Sequence, residues 1–123
     1  MKFYPQKVTQ EDLDPWPFDN PNSQYKILRG NPQARGRFDL GGPGETHRLG
    51  IWACSEGAFE CIEQGEELQT LLEGRLRLER EDGSEYFFAP GDSFFTRPGE
   101  RLVWDIIEDV KKVFFTYDAK ANN

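Results

Sequence analysis

Glu66-Glu67-Leu68-Gln69-Thr70-Leu71-Leu72-Glu73-Gly74-Arg75-Leu76-Arg77-Leu78-Glu79-Arg80-Glu81-Asp82-Gly83 is the stretch whose reading decides the fold. It holds two short β-rich runs, at 68–72 and 76–81, each closed by an acidic residue and a glycine. Glycine reaches positive φ without a Cβ penalty, so both closures read as turns, and Asp82-Gly83 is the strongest hairpin signal in the chain. Working outward, similar runs lie at 49–54 and 58–63 on one side and at 84–89, 93–97, 102–107 and 111–117 on the other. Ser55-Glu56-Gly57, Gln64-Gly65, Pro90-Gly91-Asp92 and Pro98-Gly99 separate them. Many short strands at close spacing predict an all-β sandwich or barrel.

Two further strands are expected upstream, at 25–29 and 35–40, divided by the Asn31-Pro32 turn. Before them, Asp14-Pro15-Trp16-Pro17-Phe18-Asp19-Asn20-Pro21 cannot sustain a helix. At most a helical turn is expected, at 10–14. Residues 1–29 therefore read as an extended arm and residues 30–123 as the barrel. Trp16, Phe18 and Tyr25 make the arm too apolar for a free tail, so it should lie on its own barrel or on that of a partner subunit.

Composition narrows the function. The 123 residues suit one domain, and ten phenylalanines, twelve glycines and eight prolines favour strands and turns over helices. With 22 acidic against 15 basic residues, the formal charge of -7 repels phosphate backbones and anionic lipid, so neither nucleic acid nor membrane is an expected partner. No apolar run is long enough to span a bilayer, and no signal core follows Met1, so a cytoplasmic location is expected. Cys54 and Cys61 are too few for a disulfide framework and form no CxxC pair, so they read as buried thiols.

Two spacings carry a family resemblance over roughly 48–117. Glu67 precedes the glycine of Leu72-Glu73-Gly74 by seven residues, and Gly99 follows Gly91 by eight. Together these resemble the two cupin motifs, which implies a single-domain jelly-roll β-barrel with an extended N-terminal arm. Finer details resemble the family named for the ureidoglycine aminohydrolase cupin domain, which also includes cupins of ethanolamine utilisation. These are Gly50-Ile51-Trp52, Pro90-Gly91-Asp92-Ser93-Phe94-Phe95, and Trp104 followed by Glu108-Asp109-Val110-Lys111-Lys112. A metal-binding cupin would carry two histidines before Glu67 and a third after Gly99. Here Cys61, Ile62 or Glu63 and then Leu102 stand there, and His47 is the one histidine of the chain. No metal and no cofactor are therefore expected. The resemblance also implies a homodimer, since small cupins look like dimers.

Alternation along a strand sends Gln69 and Leu71 inward if Glu67 points inward. The preceding strand sends in Phe59, Cys61 and Glu63 or, in the other register, Glu60 and Ile62. Trp52, Trp104, Phe94 and Phe114 are natural walls of a ligand cavity. A carboxylate among apolar strands needs a partner, and Lys112 or Arg75 could supply the charge. The expected ligand-binding set is thus Trp52, Cys61, Glu63, Glu67, Gln69, Phe94, Trp104 and Lys112. The reading is a metal-free cupin that binds a small polar or anionic metabolite. Its alternative is a lyase, isomerase or aminohydrolase type of enzyme with Glu67 as general acid or base, helped by His47 as proton carrier.

Overall fold

A computed structural model of the protein describes residues 1–7 and 13–120. These form nine strands: β1 (Asp14–Pro15), β2 (Lys26–Arg29), β3 (Ala34–Leu40), β4 (His47–Cys54), β5 (Gly57–Ile62), β6 (Glu66–Arg80), β7 (Glu85–Phe88), β8 (Ser93–Thr96) and β9 (Arg101–Tyr117). No helix occurs among the described residues, and none there is long and apolar enough to cross a membrane. Of the helical turn expected at 10–14, residues 10–12 lie outside the described residues, Leu13 is buried outside any helix, and Asp14 pairs with Gly36 in a strand.

All pairings are antiparallel and belong to one sheet that curls on itself around β9. The first half of β9 pairs with β5 (Ile106 with Gly57), the second half pairs with β4 (Val110 with Cys54), and its other edge pairs with β6 along nearly its whole length. β6 in turn carries β7 and β8 on its far side. The runs at 68–72 and 76–81, expected as separate strands, are one strand, as are those at 102–107 and 111–117. Gly74, at φ +91, takes up a kink where the β6–β9 register shifts between Leu71 and Leu76, so the chain bends without reversing.

Strand alternation sorts the side chains into two faces. Gln69 and Leu71 are fully buried inside, whereas Leu68, which precedes Gln69 and points to the other face, is half exposed. The inner cluster contains Trp52, Phe59, Cys61, Leu71, Trp104, Ile106 and Phe114. A smaller outer cluster of Ile51, Ala53 and Leu72 is covered by Leu13 and Tyr4 from the N-terminal segment. Tyr4 and Leu13 of the arm thus pack on the outer face of this barrel. The arm's next stretch folds over the opposite face: the Trp16 ring sits 4.8 Å from that of Phe38, and Phe18 packs 4.7 Å from Phe59. Gly36 makes room for this, because a Cβ there would come within 2.4 Å of the Trp16 ring. β2, the end of the arm, pairs with β5 and so belongs to the sheet.

Candidate functional site

The inward-facing residues enclose a cavity of about 1010 Å³ open to solvent. β4 contributes Trp52, β5 contributes Phe59 and Cys61, and β9 contributes Trp104, Lys112, Phe114 and Thr116. Cross-strand register brings the polar members together: Glu67 lies opposite both Thr96 and Thr116, and Lys112 lies opposite both Trp52 and Leu71. The arm closes one side with Trp16 and Tyr25.

At the centre stands the Lys112 ammonium. Its Nζ is 3.2 Å from Glu67 Oε2 and donates a further hydrogen bond to Gln69 Oε1. Thr116 Oγ1 donates to the other Glu67 oxygen at 2.5 Å, and Gln69 Nε2 donates to Thr96 Oγ1 at 2.9 Å. The same ammonium lies 4.8 Å from the Trp104 ring centroid and 5.0 Å from that of Trp52, within cation–π range. A buried cation is tolerated only when paired, and here a carboxylate, an amide oxygen and aromatic faces all serve it. Arg75, the other candidate partner, is exposed on β6 next to the Gly74 kink and does not line the cavity.

These residues do not fit the metal that cupins commonly hold. A divalent ion at Glu67 would face the Lys112 charge at ion-pair distance. Nowhere among the described residues do three His, Cys, Asp or Glu side chains gather around a common point.

The second carboxyl, Glu63, sits just beyond β5. Its Oε2 accepts from the Cys61 thiol at 3.4 Å, whereas its buried Oε1 has no hydrogen-bond partner among the described residues. Burial raises its pKa to about 7, Glu67 adds to the rise, and Lys112, Cys61 and Gln69 oppose it. Burial likewise pushes the Cys54 thiol up to about 12 and the Cys61 thiol higher still, which makes both poor nucleophiles. The Trp104 indole N–H is also buried and unpartnered.

Of the residues expected from sequence, Trp52, Cys61, Glu63, Glu67, Trp104 and Lys112 line the cavity together. Gln69 stands behind them, fully buried, where it orients Lys112. Phe94 packs in the wall, 4.6 Å from Phe88 and 5.9 Å from Trp104. His47 is elsewhere: it is exposed at the start of β4 on the outer face, its ring 5.2 Å from Tyr117. Odd-numbered β4 residues point away from the barrel, so His47 cannot share a proton with Glu67. The sequence reading omitted Thr116 and Thr96. Alternation from Lys112 through Phe114 points to Thr116, whereas no local pattern marks Thr96 or the arm residue Trp16.

A curled antiparallel barrel with a glutamate directed inward from its first motif is a cupin. The chain belongs to the EutQ-like cupin domain family, whose pattern matches residues 41–114. Among solved structures it is similar to a putative ethanolamine utilization protein EutQ of Salmonella typhimurium, at 19% identity and TM-score 0.59 over 72% of this chain and 71% of that one. EutQ of Clostridium difficile matches at 15% identity and TM-score 0.63 over 77% and 82%. At these identities the likeness is one of fold. A protein of unknown function from Pseudomonas syringae pv. tomato is 27% identical, with TM-score 0.66 over 84% of this chain and 43% of that one, so the matched part is less than half of that protein. No curated protein matches the chain.

Proposed function

We propose that the protein binds a small polar metabolite inside its barrel without a metal. The observation that carries this reading is the open cavity itself, whose motif carboxylate is already satisfied by Lys112 and Thr116 while aromatic walls remain available. An enzymatic role for Glu67 draws less support from the geometry, because both of its oxygens are engaged by donors. A thermal-shift screen of polar metabolites tests the reading, since a ligand specific for the folded state at a hundred times its Kd stabilises by about 2.7 kcal/mol. Binding should disappear in Trp104→Ala. One equivalent of a transition metal copurifying with the protein would refute the metal-free reading.

A second copy of the chain is the partner expected on the outer face. Phe95, Leu68, Phe115, Leu49 and Leu40 are successive cross-strand neighbours over β8, β6, β9, β4 and β3. Phe95, Leu68 and Leu40 are each about half exposed, and Phe115 is 40% exposed. At strand spacings of about 4.8 Å this apolar row runs roughly 19 Å across the sheet, the makings of an interface core. Light scattering should give a dimer mass for the wild type and a monomer mass for the Leu68→Glu/Phe115→Glu double variant. A monomeric wild type would remove this partner.

A further inference from the structure

We infer that the cavity selects small organic cations, alkylammonium or quaternary ammonium groups, over anions, with the Glu63 carboxylate as their counter-charge. This rests on the cavity being a binding site and goes on to name the class of ligand.

The charges on the cavity wall point this way. Its inner basic groups are already matched: Lys112 by Glu67 at 3.2 Å, Arg48 by Asp118 at 3.5 Å, and Arg37 by Asp39 at 3.2 Å. An incoming anion would have to compete with a carboxylate for each of them. Lys120 remains at the rim, where Asp14 and Asp19 outnumber it. In the interior two lining groups are short of a partner, the Trp104 indole N–H and the Glu63 carboxyl with one oxygen unclaimed, and of the two Glu63 is the one that can carry charge.

The walls favour the same sign of charge. Trp16, Tyr25, Trp52, Phe59, Trp104 and Phe114 line the space, and the face of an aromatic ring carries the negative part of its quadrupole. An ammonium of the chain itself already rests between two of them, at 4.8 and 5.0 Å. A ligand cation can use the remaining rings in the same way.

The pH dependence follows from the groups around Glu63. Tyr25 faces it from the arm, Cys61 from β5, Glu67 from β6 and Lys112 from β9. Burial raises the pKa of both Tyr25 and Cys61 well above neutrality, so they keep their protons, and Glu67 lies 3.2 Å from Lys112 in an ion pair. Glu63 titrates near neutral pH, at about 7. A bound cation favours its ionised form and expels its proton. Cation affinity must therefore rise as pH rises through 7, and an anion would show the opposite trend.

The test uses the full chain with tetramethylammonium and n-butylammonium chlorides, and with sodium butyrate as isosteric anion, at matched ionic strength. Binding is read from the indole N–H resonances of Trp52 and Trp104 at pH 6 and pH 8. The expected result is cation binding about five- to tenfold tighter at pH 8 than at pH 6, from the ionised fraction of a group titrating near 7. Glu63→Gln should abolish that difference and leave the weaker pH 6 affinity at both values. Butyrate binding tighter than butylammonium, or cation binding indifferent to pH and to Glu63→Gln, overturns the cation inference while the cavity stands as a binding site. No response to any of these probes, nor to neutral butyramide, overturns both.

Discussion

Lys112→Met should lower the unfolding free energy by about 3 kcal/mol in urea denaturation, among the largest losses expected from one side chain in this barrel. The reason is what it leaves behind. Glu67 Oε2 loses its cation and Gln69 Oε1 loses its donor, and both lie where water reaches them poorly: Gln69 is fully buried and the Glu67 side chain is 19% exposed. A buried carboxylate without a partner costs several times more than a good pair returns, so the single variant overstates the worth of the bridge. The residual exposure of Glu67 places the loss at the lower end of the range for buried pairs.

The double variant Lys112→Met/Glu67→Gln separates the two contributions. With both charges gone, the aliphatic chain of Met fills the space between Trp52 and Trp104, and Gln can still accept from Thr116. Most of the loss should return, giving a coupling energy of about 2 kcal/mol in the double-mutant cycle. Additive losses would show that the two groups act independently. The cycle bears on function as well as stability, because a motif glutamate that serves to anchor a lysine has a structural duty in place of metal ligation.

The sequence carried the strands and the turns but not every junction between them. Asp82-Gly83 reads as a hairpin and is one: Arg80 accepts from Gly83, and β6 and β7 pair across it. Glu73-Gly74 reads the same way, yet the chain bends there without reversing, since a glycine at positive φ serves a kink as well as a reversal. Deciding between them needs the partner strand, which sequence spacing does not supply. The candidate site divides similarly. Period-two alternation ties Gln69 and Leu71 to Glu67, and Glu63 to Cys61, once one residue of each strand is placed inside. Trp16 is not tied in this way, because it reaches the cavity across Gly36 and Phe38, residues twenty or more positions away in an arm without periodicity. The choice of Lys112 over Arg75 was equally non-local. It depends on the register of β9 against β4 and β6, which sets Lys112 opposite Trp52 and Leu71.

Gly74→Ala should cost more than about 4 kcal/mol, or prevent folding at 37 °C, whereas Gly83→Ala should cost only about 1–2 kcal/mol. The two glycines have almost the same backbone, at φ +91 and φ +86, so the strain of giving an L side chain that conformation is common to both. Their surroundings differ. A Cβ at Gly83 meets nothing within 4 Å, whereas one at Gly74 falls 2.1 Å from the Asp109 carbonyl oxygen and 2.8 Å from that of Glu108. Those atoms are backbone, and they cannot rotate aside. Asp109 is further tied through its side chain, which accepts from the Glu56 N–H at 2.9 Å. To admit a methyl group, β9 must move away from β6 at the kink where Arg75 pairs with Glu108 and Glu73 with Lys111, and where the Lys111–Glu73 ion pair closes at 2.6 Å. That displacement would reach Lys112 one residue on and loosen the polar cluster. The excess of Gly74→Ala over Gly83→Ala in denaturant midpoint therefore measures how rigidly the kink holds β9. Equal losses at the two positions would mean that the Asp109 carbonyl yields freely and that the kink contributes nothing to placing Lys112.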